Sequence, residues 1–363
     1  MLLQTVEDPV ENGSNANLDM VMRPTTKDLA RTAGVSLATV DRVLNGRAGV
    51  RQATVDAVTE AVERLGFVRN LSAANLARGR TYRFEFLLPQ KGDQFLDSVV
   101  ARIEEARHAF AAEIVDLRLS RRIGDDPHQI ARLLSAIDLE TLDGVALMAP
   151  ESPQVRDATA RLRERGVQVV HFGSGQGDAD FVGVDNRAAG ATAGRLMGRF
   201  CPGRGEVLVI TETMNARDQL ERRQGFDAIL TRDYPGLTAL PSLETHGDAA
   251  RTRAIVMTAC AGHPQIVGAY VLSSEARPAL EAIAAAGRPE DLTIIAHERT
   301  PFSEGWLLDG RLDAVIAQNP GHLVRSAIRT LRARCDDREP IASQEEIRIE
   351  ILLAENLGRL GAP

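Results

Sequence analysis

Within the stretch TTKDLARTAGVSLATVDRVLNG, residues 25–46, the chemistry lies in the side chains left over once an apolar core is set aside. Leu29, Ala30, Ala33, Val35, Val40, Val43 and Leu44 are spaced to pack two short helices together, which leaves Leu37, Ala38, Thr39, Asp41, Arg42 and Asn45 pointing elsewhere. Hydroxyls and amides of this kind suit phosphate oxygens. Leu37 and Ala38 carry no hydrogen-bonding group and can offer a base pair only shape or contact with a thymine methyl. Arg42 is the only long basic side chain on the second helix, so much of any direct readout falls to it.

The elements that would position these side chains are legible too. Thr26 is expected to cap the first helix, Gly34 to stop it in the left-handed conformation, and Ser36 to cap a second helix running to about Leu44. That layout is a helix-turn-helix, the second helix being the one that enters a major groove. Val55, Val58, Val62 and Leu65 mark one face of a third helix over Ala53–Leu65, with Gly66 as its stop. Ser72 can cap a helix of little more than one turn that Gly79 ends, and a helix so short needs DNA or a partner chain to hold it.

The runs Asp28-Leu29-Ala30, Ala33-Gly34-Val35-Ser36, Ala38-Thr39-Val40 and Arg42-Val43-Leu44-Asn45 give this segment a close resemblance to the LacI/GalR (lactose-repressor) family of bacterial transcription regulators. Asp41 departs from the pattern, which has Ser there, and Arg69 stands where Pro is usual. The resemblance implies two heads, one from each chain of a homodimer, on a pseudo-palindromic operator. Thr25, Ser36, Thr39, Asn45 and Asn70 are then the phosphate or backbone contacts, and Leu37, Ala38 and Arg42 the base-reading ones. It further implies that the short helix is a hinge that pairs with its twin, with Ala73 and Leu76 at the DNA and Leu76 pushed into the minor groove.

Charge divides along the same line. The 363-residue chain has a net charge of −7, yet Arg23 to Arg83 holds 11 Arg and Lys against five acids, a net of +6, which leaves −13 on the remainder. A basic head on an acidic body is expected when only the head meets phosphate. Lys27 and Lys91 are the only lysines. Cys201, Cys260 and Cys335 are far apart and odd in number, which argues for a reducing cytoplasm and against a disulfide framework or a zinc site. No apolar run reaches the ~18 residues of a membrane span. Residues 1–22 hold four acids and no base, unlike a signal peptide, and read as a disordered leader or an over-extended start with Met20 or Met22 as the true beginning.

From Arg83 onward apolar strands alternate with amphipathic helices. Strands are expected at Phe84–Leu88, Ile114–Leu119, Gly144–Met148, Val167–Phe172, Glu206–Ile210, Leu237–Leu240, Ile266–Leu272, Leu292–His297 and Ala314–Ala317. Helices fall between them at Leu96–Ala111, Pro127–Ile137, Gln154–Arg165, Asn186–Phe200, Leu220–Thr231, Ala249–Ala261, Ala276–Ala286 and Pro320–Arg334. This order means doubly wound parallel sheets, and roughly 280 residues exceed one core, so two α/β lobes are expected with a ligand crevice at the carboxyl ends of the strands.

The motifs Val182-Gly183-Val184-Asp185-Asn186, Arg222-Arg223-Gln224-Gly225-Phe226 and Ala314-Val315-Ile316-Ala317-Gln318-Asn319-Pro320 make residues 82–357 similar to the two-lobed (type I) periplasmic sugar-binding fold that the family uses as its regulatory domain. Ligand residues carried over position by position are Gln90, Phe95, Ser174, Arg222, Ser274, Glu298 and Gln318. His297-Glu298 replaces the aromatic-Asp pair of many relatives, and Ser273-Ser274-Glu275 the common Asn-Asp. A carboxylate that accepts from vicinal hydroxyls, with Arg and Gln donating in fixed directions, suits a sugar or polyol; Phe95, Phe172 or Trp306 could cover its apolar face.

Enzyme readings find little footing. Gly173-Ser174-Gly175-Gln176-Gly177 lacks the G-x-G-x-x-G spacing of a dinucleotide cradle, and no Walker A, G-x-S-x-G or zinc signature occurs. No cofactor or metal is expected. The expected organisation is a leader (1–22), a helix-turn-helix head (23–69), a hinge (70–81) and a two-lobed ligand-binding and dimerisation body (82–357). The expected function is a cytoplasmic, homodimeric, operator-binding repressor controlled by a sugar-like effector. The rivals are a solute-binding protein or an α/β oxidoreductase with an appended DNA-binding head.

Overall fold

The computed structural model describes residues 25–44, 49–65, 81–111, 115–173, 181–201, 203–287 and 292–358. The chain divides into two units, Met1–Arg78 and Gly79–Pro363. In the first, helices α1 (Thr26–Ala33), α2 (Leu37–Leu44) and α3 (Gln52–Leu65) close on a small core of Leu29, Val40, Val58 and Ala61, with Ala30, Ala33, Val35, Val43, Val62 and Leu65 partly buried around it. The N-cap of α1 is Thr25 rather than Thr26: its hydroxyl accepts from the Asp28 N–H, while the Asp28 carboxylate accepts from the Thr25 N–H and hydroxyl. The capping box needs its acid at the third helical position, and Asp28 sits there only if Thr25 is the cap. Gly34 ends the helix at φ 66°, the left-handed conformation expected of it.

The second unit holds two sheets. Strands β1 (Tyr82–Pro89), β2 (Val115–Ile123), β3 (Gly144–Leu147), β4 (Gln168–Phe172) and β5 (Phe181–Val182) form one in the order β2-β1-β3-β4-β5, all parallel. Strands β6 (Gly205–Thr211), β7 (Leu237–Ala239), β9 (Ile266–Val271), β10 (Thr293–His297), β11 (Ala314–Ala317) and β12 (Glu350–Leu352) form the other in the order β12-β11-β10-β9-β6-β7, with β8 (Leu243–Glu244) also on β6. The order repeats that of the first sheet, with one correction to the all-parallel expectation: β12 is antiparallel to β11. A three-residue edge strand carries no periodicity from which its pairing could be read. The short β5 and β8 were beyond the sequence pattern for the same reason.

Alternation fixes which face each strand residue serves. In β3, Ala146 and Met148 just beyond it join a core with helices α4 (Gln94–Ala111) and α12 (Pro320–Cys335), whereas Val145 and Leu147 face α5 (Pro127–Ser135) and α6 (Pro153–Glu164). In β6, Val207 and Val209 face α7 (Asn186–Phe200) and α8 (Arg217–Asp233); Leu208 and Ile210 face α9 (Ala249–Gly262), α10 (Arg277–Ala285) and α11 (Pro301–Leu308). Helix α12 follows the second sheet in sequence but packs on the first, through Leu323, Val324, Ala327, Ile328 and Leu331. The chain therefore passes between the lobes after β5, after β11 and again before β12. Among the described residues, no helix is long and apolar enough to cross a membrane.

Candidate functional site: a charged crevice at the strand ends

Three side chains of the second lobe, two of them just beyond strand ends, meet in one buried cluster. Glu298 follows β10, Gln318 follows β11, and Arg222 comes in from α8. Arg222 donates from Nη2 to Glu298 Oε1 at 3.2 Å, from Nε to Asn186 Oδ1 at 2.9 Å and from Nη1 to the Leu272 carbonyl at 2.7 Å. Gln318 Nε2 donates to the same Glu298 Oε1 at 3.1 Å. Arg222, Glu298 and Gln318 are all buried, and Glu298 Oε2 and Gln318 Oε1 have no hydrogen-bond partner. Two orphaned buried acceptors are costly unless something with donors fills the space before them.

The arrangement depends on how closely α7 and α8 approach. A Cβ on Gly190 would lie 1.8 Å from the Arg222 carbonyl oxygen, and one on Gly225 would lie 2.0 Å from the Arg187 carbonyl oxygen. Only glycine at both positions lets the backbones touch, and that contact sets Arg222 beside Asn186. Glu298 is held as firmly. Its φ is 65°, a left-handed conformation unfavourable for a side chain with a Cβ, fixed by its N–H to the Ile316 carbonyl and by the Ser303 hydroxyl donating to its own carbonyl, both at 2.9 Å. Burial raises the Glu298 carboxyl to about 7, against the lowering influence of Arg222 and Gln318. Next to it, His297 Nε2 and the Tyr270 hydroxyl share a hydrogen bond of 2.7 Å; burial pushes the imidazole well below its ordinary value and raises the phenol.

The two lobes meet beside this cluster. The Ser274 hydroxyl donates to Asp93 of the first lobe, the Phe302 N–H donates to Gln94 Oε1 at 3.3 Å, and Arg217 pairs with Glu151 at 3.0 Å. Asp93 serves two roles: its Oδ1 accepts from the Leu96 N–H at the start of α4 while its Oδ2 takes Ser274.

Of the residues expected at a ligand, Arg222, Glu298 and Gln318 are brought together, and Ser274 reaches the facing lobe through Asp93. Gln90 is exposed and donates to the Arg122 carbonyl at 3.4 Å. Phe95 is buried in the first lobe's core, with Phe172, whose ring meets Phe86 edge-on. Trp306 is buried in the second lobe under Arg311, whose guanidinium lies 4.0 Å from the ring centroid. Phe172 and Trp306 are thus core residues, because both sit on inward faces of their elements. Ser174 lies outside the described residues. Asp93, Asn186 and Ser303 were not expected here; a cap residue just beyond a strand end was the available signal for Asp93, and the Val182–Asn186 motif for Asn186.

The head presents a second surface. Ser36 caps α2, accepting from the Thr39 N–H at 3.1 Å and sharing a 2.8 Å hydrogen bond with the Thr39 hydroxyl. Leu37 is 47% exposed, and Ala38 and Arg42 are exposed with it, while Val40 is fully buried. An apolar Leu left in water at the start of a short helix is unexplained by the core. Asn45, Asn70, Ala73 and Leu76 lie outside the described residues.

Residues 25–70 match the family described as bacterial regulatory proteins, lacI family, and residues 84–339 match the periplasmic binding protein domain. The chain is 37% identical over 94 residues to the HTH-type transcriptional regulator RegA of Clostridium saccharobutylicum, an alignment covering 26% of this chain and 28% of that protein. It is 26% identical over 301 residues to the HTH-type transcriptional regulator CelR of Thermobifida fusca, covering 78% and 84%. The chain thus spans only about a quarter of RegA's length. Among solved structures, GanP, a glucose-galactose binding protein from Geobacillus stearothermophilus, superposes with a TM-score of 0.67 at 18% identity, over 77% of this chain and 99% of that one.

Proposed function

Because the chain belongs to the lacI family of bacterial regulatory proteins, with a periplasmic binding protein domain as its body, we propose that it is an operator-binding transcriptional repressor controlled by a small polyhydroxylated effector. The observation that carries this reading is the exposed Leu37, Ala38 and Arg42 face on a helix capped by Ser36. In this role Leu37 and Ala38 meet base edges by shape, and Arg42 supplies directional hydrogen bonds. Ser36, Thr39, Thr25, Asn45 and Asn70 position the head on phosphates, and Ala73 and Leu76 act in a hinge over residues 70–81.

The body, residues 82–357, takes the effector between its lobes. Arg222, Glu298 and Gln318 bind it from the second lobe, with Ser274 and Ser174 beside them. The working unit is a cytoplasmic homodimer on a pseudo-palindromic site. Effector binding shifts the lobes and with them the hinges, and by linkage the operator changes effector affinity by the same factor. The GanP likeness alone would equally suit a solute carrier, but a carrier has no use for a helix-turn-helix head and a segment of net charge +6 over Arg23–Arg83.

Selection of bound sequences from random duplex DNA, followed by titration of the winning site at several salt concentrations, tests the proposal. A symmetric consensus is expected, with affinity falling steeply as salt rises, since each neutralised phosphate releases roughly 0.9 counterion. No enriched sequence, or an affinity flat between low and moderate salt, defeats it.

A further inference from the structure

The crevice has an excess of acid. Glu298 is balanced by Arg222, but Asp93, Glu212 and Glu275 stand near it at the strand ends; burial raises the carboxyls of Glu212, Glu275 and Glu298, and the charge of Asp93 adds a smaller push to each. Asp125 and Asp218 add to the field at Glu212. Against these stand His246, near Glu212, and Arg277, which lies over the Phe302 ring at 5.0 Å and has its Nε unpartnered. Arg217 and Arg121 are already engaged, the first by Glu151 and Glu221, the second by Asp97 and the Pro89 and Gln90 carbonyls. Even with Arg277 counted, the opening is net negative.

The second observation is independent of charge. Glu298 Oε2 and Gln318 Oε1 are both acceptors, both on residues at least 96% buried, and both unpartnered. The Gln318 amide is oriented by its Nε2 bond to Glu298, so its oxygen is the atom left over. The cluster therefore has two acceptors that no donor reaches in its depth and an excess of negative charge around it. A neutral sugar satisfies the first, and an anionic sugar is repelled by the second.

Building on the effector reading above, we propose that the crevice takes a polyhydroxylated molecule bearing a protonated amine, of which amino sugars are the simplest class. Its hydroxyls or ammonium donate to Glu298 Oε2 and Gln318 Oε1, and its charge offsets Asp93, Glu212 and Glu275. An ammonium between carboxylates gains charge-assisted hydrogen bonds that a hydroxyl cannot match.

Calorimetric titration of the full chain tests this with glucosamine, galactosamine, mannosamine and glucamine. Glucose, galactose, mannose and sorbitol serve as the neutral parents, with glucose 6-phosphate and gluconate as anions. At least one amine is expected to bind tenfold or more tightly than its parent. That advantage should shrink at least threefold in Asp93→Asn and in Glu212→Gln, with each variant's melting temperature confirming that it folds. Equal or tighter binding of a neutral parent or an anion overturns the proposal, as does the absence of binding by every amine. Operator binding, measured separately on the same protein, decides the regulator reading whichever way the ligand series falls.

Discussion

Arg222 and Glu298, 76 residues apart in the chain, form an ion pair at 3.2 Å with both side chains at least 96% out of water, yet one oxygen of the carboxylate has no hydrogen-bond partner. A pair built only for stability would satisfy both oxygens. Removing one member of a buried pair strands the other, at a cost of about 3–5 kcal/mol, whereas matched apolar replacement of both is often neutral. Arg222→Ala also orphans Asn186 Oδ1 and the Leu272 carbonyl, so its melting temperature should fall well below that of the Arg222→Met, Glu298→Met double variant. Both should lose effector response while the head still binds operator. A single variant as stable as wild type would show that the pair does not hold α8 to the strand ends.

Glu298 predicts a pH dependence of fixed sign. Its folded carboxyl is raised from 4.5 to about 7, mainly by burial, so the folded state favours the protonated form. Its contribution to stability is full below about pH 4.5 and is lost as pH rises to 7, by on the order of 3 kcal/mol. Glu298→Gln removes this dependence, and the variant should gain on wild type between pH 5 and pH 8 in denaturant unfolding. Parallel stability profiles for the two proteins would refute the assignment.

Arg42→Ala should weaken binding to the selected site by about 1–3 kcal/mol and relax preference at one base pair. Equal loss on random DNA would make Arg42 a phosphate anchor instead. The head's melting temperature should not move, because the side chain is exposed and has no part in the core of Leu29, Val40, Val58 and Ala61.

Two glycine substitutions should separate strain from collision. Gly34→Ala meets open space at a φ of 66°, so it costs about 1–2 kcal/mol in the head and nothing in the body. Gly225→Ala places a methyl 2.0 Å from the Arg187 carbonyl oxygen, which neither helix can relieve without moving. It should lower the body's melting temperature and weaken effector binding together, by tilting Arg222 away from Glu298. Unchanged effector affinity in Gly225→Ala would show that the close crossing does not position the guanidinium.

The sequence pattern carried α7, Asn186–Phe200, because its helical spacing is sustained over four turns, and β11, Ala314–Ala317, because its run is wholly apolar. It missed α11, where Trp306 and Leu307 are buried but too few turns exist for a stripe to appear, and the antiparallel β12 of three residues. At the site, Arg222, Glu298 and Gln318 were named from motifs, but their meeting depends on backbone contact at Gly190 and Gly225. No pattern within either helix reveals that contact. Asp93 escaped because its relation to Ser274 spans 181 residues and exists only when the two lobes face each other.

Helix α12 completes the first lobe only after the second lobe's strands β6 to β11 have all been made. On the ribosome, the face of the first sheet carrying Phe84, Phe86 and Val170 must therefore wait, without Leu323, Ile328 and Leu331, while well over a hundred intervening residues emerge. The last-synthesised long helix closes the first-synthesised sheet, so a chain stalled or cut before residue 320 leaves an apolar surface open to aggregation rather than a finished half.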